Sequence, residues 1–162
     1  LPISSLGNEG WSYDEILKYF KKAEHNETFD DQFHGQGGPL NVSKIRHENK
    51  PTKDFVEAGS KLYKHNEDFN GEEQEGIGFY QTTQKDGKRC STAKAYLVPA
   101  LDRPNLTVIT EANVNKILID NQKASGVEYI DAEGQSHILS ASKEVLLCSG
   151  AFGSPQIGRA HV

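Results

Sequence analysis

The alternation of apolar and polar residues changes rhythm once along the chain, near Asn105. Before that point the apolar positions recur at helical spacing. Ser12-Tyr13-Asp14-Glu15 forms a capping box, in which the Ser12 hydroxyl and the Glu15 carboxylate satisfy each other's backbone amides. Behind it Tyr13, Ile16, Leu17 and Phe20 fall on one face, and Lys21 and Lys22 suit the negative end of the helix dipole. Pro51-Thr52 opens a second predicted helix with Phe55, Val56, Gly59, Leu62 and Tyr63 inward. A third, short helix is predicted from Ser91, carrying Ala93, Ala95, Tyr96 and Leu97, with Pro99 and Pro104 ending it. The Gly-rich stretch His34 to Leu40 and the acidic stretch Glu67 to Glu75 read as loops.

After Asn105 the period becomes two. Leu106 to Glu111, Val114 to Asp120, Ser125 to Ile130 and His137 to Ser142 read as half-buried strands. Asp131-Ala132-Glu133-Gly134 supplies a hairpin turn between the last two. Glu144 to Cys148 is continuous and apolar, the pattern of a strand buried on both faces. It runs into Ser149-Gly150-Ala151-Phe152-Gly153-Ser154-Pro155, small residues followed by a Ser-Pro pair suited to starting a helix. Ligands of open α/β sheets bind beyond the C-terminal ends of such strands, where Gly and Ala admit them close to the backbone and free helix amides suit phosphate. The pattern thus predicts an α+β, mixed α/β fold with a nucleotide-type turn at its end.

Composition narrows this. Of 162 residues, 35% are hydrophobic and none is Met; mean hydropathy is −0.65. A core on that supply is thin, as expected of a piece that packs on more protein, and the missing Met is read as truncation at both ends. Net charge is −5, with 18 basic residues scattered among 23 acidic ones, which argues against nucleic acid as a partner. No apolar run reaches the roughly 18 residues of a membrane span, and Leu1 to Gly10 has no signal-peptide character. Cys90 and Cys148 have neither metal nor redox spacing, so two reduced thiols of a cytoplasmic protein are expected. Sequons stand at Asn26, Asn41 and Asn105 where about one is expected by chance, weak evidence for secretion.

Several short motifs lose their context. Ser91-Thr92-Ala93-Lys94 matches S-x-x-K, but neither S-D-N nor K-T-G is present, so Ser91 reads as a helix cap. Gly35-Gln36-Gly37-Gly38 has Leu40 where G-x-G-x-x-G needs its third glycine. His47-Glu48 has no second histidine four residues on, and Asp68, Asn70 and Glu72 lack the glycine and final glutamate of a calcium loop. No metal site is expected.

Read in order, Gly7 to Phe20, His34-Gly35 through Gly38-Pro39-Leu40, Asp68-Phe69-Asn70-Gly71 with Glu75-Gly76, Gly87 to Leu97, Arg103-Pro104-Asn105-Leu106, Ser125 to Tyr129, and Ser149-Gly150-Ala151 with Ser154-Pro155-Gln156 form a collinear set. This set resembles the glucose–methanol–choline (GMC) oxidoreductase family, particularly its choline dehydrogenase-like alcohol dehydrogenases. The resemblance covers about residues 6–156. It implies part of a Rossmann-like FAD-binding domain with part of the inserted substrate-binding domain, FAD as cofactor and a small-molecule alcohol as substrate, oxidised by hydride transfer to the flavin. Carried over by position, Val114 matches the residue whose backbone meets the FAD adenine, and Gly150, Ala151, Ser154 and Pro155 match the signature lying against the cofactor.

The dinucleotide fingerprint is expected before Leu1 and the catalytic histidine after Val162, so no residue here is assigned a catalytic role. Residues 157–162 depart from the family and resemble a non-native tail. The chain alone is therefore expected to be inactive. The rival expectation is a non-catalytic binding or interaction module derived from the same fold.

Overall fold

Helix α1, Tyr13–Ala23, begins where the capping box predicts. The Glu15 carboxylate accepts from the Ser12 amide at 3.0 Å and from its hydroxyl at 2.5 Å. These bonds hold the Glu15 carboxyl below its ordinary value. The computed structural model describes residues 4–159, in two units that divide between Leu106 and Thr107.

In the first unit α1 leads into β1, Glu24–Asn26, which pairs in parallel with β2, Leu40–Val42. The loop between them folds back on the helix end. Gly35 and Gly38 sit so close to the backbone of Lys21 and of Ala23 and Glu24 that an added Cβ would lie 2.0 and 2.5 Å from those atoms. The interior beneath this loop is polar: Asn26, His34, Asn41 and Ser43 are each at most 3% exposed. Asn26 satisfies its own amide fully, donating to Glu24 and Gln81 and accepting from Thr28, Phe29 and Gln81.

Helix α2, Lys50–Gly59, is capped by Asn49, whose side chain accepts from the Thr52 amide at 2.9 Å. It is shorter than its apolar pattern predicts, and of the expected inward residues only Val56 is buried; Phe55, Leu62 and Tyr63 stay exposed. Beyond its end the Leu62 and Tyr63 amides share the Gly59 carbonyl as acceptor. Ile77 also occupies the space a side chain at Gly59 would need, its Cδ1 2.1 Å from an added Cβ. The acidic segment Glu67 to Glu75 is a loop, as its composition indicates. Strands β3, Gln84–Lys85, and β4, Lys88–Arg89, form a small antiparallel pair. The predicted third helix is a π-helical turn, Ala93–Leu97, continued by a 3-10 turn, Val98–Ala100, so Pro99 lies inside the turn rather than ending it. Ser91 caps it, its hydroxyl accepting from the Lys94 amide at 3.2 Å.

The second unit is a three-stranded antiparallel sheet, β5 (Asn113–Asp120), β6 (Lys123–Ile130) and β7 (Ser136–Ser140), followed by α3, Gly150–Arg159. Asn121 and Gln122 turn β5 into β6 with φ of 48° and 64°, the left-handed pair that a tight two-residue hairpin needs. Asp131 organises the predicted second turn, accepting from the Glu133 and Gln135 amides.

Two expected strands are not formed. Leu106 to Glu111 has no ladder partner among the described residues, and Glu111 leaves the extended region at φ 55°. Glu144 to Cys148 is unpaired too, with Leu146 78% and Leu147 38% exposed. A strand exists only through its neighbours' hydrogen bonds, and neither run has one here.

The start of α3 is also corrected. The helix begins at Gly150, and Pro155 stands inside it. Pro155 brings no amide to the Ala151 carbonyl four residues earlier. The helix continues through Ile157, which is buried. Residues Ala160 to Val162 of the suspected tail lie outside the described residues.

Candidate functional site

Strand β5 opens against α3, and the two enclose a cleft of about 500 Å³ lined by Ala112, Asn113, Val114, Asn115, Ser149, Gly153, Gln156 and Ile157. A β-bulge builds its strand side. Val114 pairs with Tyr129 and Lys116 with Glu128, leaving Asn115 as the extra residue, which bends the strand and re-aims its side chains. Asn113 Nδ2 donates to Asn115 Oδ1 at 3.1 Å, so these two side chains brace each other.

Glycines build the helix side. Gly150 enters the helix at φ 78°, a conformation costly for any residue with a Cβ. An added Cβ on Gly153 would lie 2.8 Å from Ser149 Cβ, so glycine there allows the first turn to close over Ser149. The first amides of a helix have no intrahelical acceptor and carry the positive end of its dipole. None of the lining residues is ionisable. The cleft therefore offers neutral hydrogen-bonding groups, apolar walls at Val114 and Ile157, and helix amides. That chemistry suits an uncharged ring and an adjoining anion.

Of the residues singled out from sequence, the fold brings Val114 into this lining. Gly150, Ala151, Ser154 and Pro155 share the facing helix but do not line the cleft; Ser154 is half-buried and Ala151 and Pro155 are exposed. Ala112, Asn113, Asn115, Ser149, Gly153, Gln156 and Ile157 were missed as lining residues, Ile157 having been assigned to the non-native tail. Ser149 and Gln156 lay within the matching signature, whereas a bulge has no local sequence signal that would have exposed Asn115.

A second cluster lies in the first unit. His34 Nδ1 is 2.9 Å from Asp31 Oδ1 and His34 Nε2 is 3.4 Å from Asp68 Oδ1. The Phe29 ring stands 5.1 Å from the imidazole. Partial burial pushes the Asp31 carboxyl up, but hydrogen bonds from the His34 ring and from the Phe33 and His34 amides outweigh it and hold it below its ordinary value. The sequence showed no clustering of histidines. The fold nonetheless brings His34 between Asp31 of its own loop and Asp68 of a distant one; His34 and Asp68 belong to the collinear segments.

A family model for GMC oxidoreductases matches residues 4–159. The chain is 45% identical over 154 residues to an alcohol dehydrogenase [acceptor] of Pseudomonas putida. It is also 45% identical, over 157 residues, to an oxygen-dependent choline dehydrogenase of Citrobacter koseri. Each match covers 93% of this chain and 28% of the relative, so the chain spans little more than a quarter of their length. Among solved structures it is similar to pyridoxine 4-oxidase from Mesorbium loti, with a TM-score of 0.81 and 30% identity, over 93% of this chain and 30% of that one. It is similar also to an FAD-dependent oxidoreductase from Chaetomium thermophilum, with a TM-score of 0.84 and 26% identity, over 95% of this chain and 29% of that one.

Proposed function

The chain belongs to the GMC oxidoreductase family, and on that basis we propose that it is the portion of an FAD-dependent alcohol oxidoreductase that holds the adenine end of the cofactor. The carrying observation is the cleft between the bulged start of β5 and the glycine-built start of α3. It fits the group: Val114 and Ile157 would flank the base, Asn115 and Gln156 would offer amides to its edge, and Gly153, with no side chain, would admit a phosphate close to the helix backbone. FAD, when bound, supplies the hydride acceptor for alcohol oxidation. The residues here bind and orient; none of those lining the cleft is placed to take a proton.

It follows that this chain alone is inactive and binds the cofactor through its adenylate half. Titrating the purified chain with ADP and with riboflavin tests this. Binding of ADP with chemical-shift changes confined to 112–115 and 149–157, and none with riboflavin, is the expected result. Saturable riboflavin binding, or alcohol-dependent dye reduction by the chain, would defeat the reading.

One observation favours the alternative, a non-catalytic interaction module. Gly10, Trp11, Ile16, Tyr19, Phe20 and Ala23 line an apolar groove of about 570 Å³ on α1. A stable soluble monomer that binds no adenine nucleotide would support that alternative.

A further inference from the structure

His34 is 3% exposed, the one buried histidine among the described residues. Asp31 Oδ1 stands 2.9 Å from its Nδ1, and Asp68 Oδ1 stands 3.4 Å from its Nε2. The buried Nε2 nonetheless has no hydrogen-bond partner. We infer that His34 and Asp68 form a binding site for a divalent transition cation of the zinc type, with Asp31 as the group that orients the imidazole.

An ionised carboxylate only accepts hydrogen bonds, so Nδ1 donates to Asp31 and a neutral ring turns its Nε2 lone pair toward Asp68. Two acceptors then face each other in a buried place, which calls for a positive charge between them. A proton on Nε2 would draw the pair into a charge-assisted bond of about 2.7–2.9 Å, shorter than the 3.4 Å found. Two ligands each about 2.1 Å from a tetrahedral ion stand about 3.4 Å apart, which is the observed spacing. Asp31 completes the carboxylate–histidine–metal arrangement, in which an acid on the far nitrogen fixes the tautomer and the ring.

Both carboxylates are held by their own loops. Asp31 Oδ1 accepts from the Phe33 and His34 amides at 2.8 and 3.1 Å. Asp68 Oδ1 accepts from the Asn70 amide at 3.0 Å, and the Asp68 amide donates to Asn66 Oδ1 at 2.8 Å. Among the described residues no lysine or arginine pairs with either carboxylate; Lys21 Nζ donates to the Asp31 and Gln32 carbonyls instead.

An imidazole nitrogen beside a carboxylate oxygen suits zinc-type ions, whereas magnesium and calcium take oxygen ligands. His34 also lines a cavity of about 330 Å³ with Phe33, Asn70 and Gln74, which leaves room for water in the remaining coordination positions. With two protein donors, the ion is held less tightly than at a four-ligand structural site. No ligand spacing along the chain announces this site, because its donors come from two separate loops.

The test titrates Zn²⁺ into the whole chain at neutral pH by calorimetry, with the imidazole nitrogens followed by ¹⁵N NMR. The expected result is saturable one-to-one binding that displaces the His34 Nε2 resonance while Nδ1 keeps its proton, with no response to Mg²⁺. H34Q and D68N should abolish this binding, and D31N should weaken it about 10–100-fold. Zinc uptake that H34Q leaves unchanged, or a D31N chain that binds as tightly as the unmodified one, would overturn the site. Should a variant fail to fold, the Nε2 resonance of the unmodified chain decides, and its indifference to zinc would overturn the site equally.

Discussion

Replacing Gly153 by Ala sets two effects of known sign against each other. Alanine in the interior of a helix is favoured over glycine by about 1 kcal/mol. The new Cβ, however, would lie 2.8 Å from Ser149 Cβ, whereas ordinary contact begins near 3.4 Å. The two must separate by about 0.6 Å, and such overpacking costs about 1–3 kcal/mol. That shift moves the first turn of α3 away from Asn113 and Asn115 across the cleft. The expected result is ADP binding weakened about five- to a hundredfold, with little net change in stability because the helix propensity offsets part of the clash. S149G removes the obstructing atom, so the double variant S149G/G153A should bind ADP as S149G alone does and unfold at higher urea. Calorimetric titration and urea unfolding of the four chains read both quantities. Unchanged ADP affinity in G153A, or a double variant as weak as G153A, would refute the argument that this glycine is required by its approach to Ser149.

Three further outcomes are expected. Asn26→Ala strips acceptors from the Thr28 and Phe29 amides and from Gln81; because Thr28 is exposed and Phe29 and Gln81 are half-buried, water takes up part of the loss, and the first unit should lose about 1–3 kcal/mol, no loss by urea unfolding contradicting the network. Cys148 is exposed and Cys90 is 4% exposed beneath Pro39, so a thiol reagent should modify one sulfur rapidly and the second only on unfolding; two equal rates would show the first unit to be open. Asp31 is held below its ordinary value of 3.8, so its contribution is present above that value and lost as pH falls through the lower, folded one. Amide protection of Phe33 and His34 should therefore survive at pH 4.5 and fade only below 3.8, and loss between pH 6 and 5 would contradict it.

The sequence alone determined what short-range chemistry controls. The Ser12–Glu15 box, the Asp131–Gly134 hairpin and the Ser91 cap each bond groups a few residues apart, and the period-two runs of β5 to β7 pair with immediate neighbours. The family was also legible, because collinear motifs survive even when each one is unremarkable. Tertiary structure decided the rest. Whether Leu106–Glu111 or Glu144–Cys148 becomes a strand depends on a partner edge that no local pattern specifies. At Gly59, where helix α2 ends, it is Ile77, eighteen positions later, that fills the space a side chain would need. The bulge that aims Asn115 into the cleft depends on its register with Tyr129 and Glu128. The encounter of His34 with Asp68, thirty-four positions apart, rests on two glycines whose missing side chains let backbone and carboxylate close in. Apolar periodicity encodes which face is buried; it does not encode which distant atom fills it.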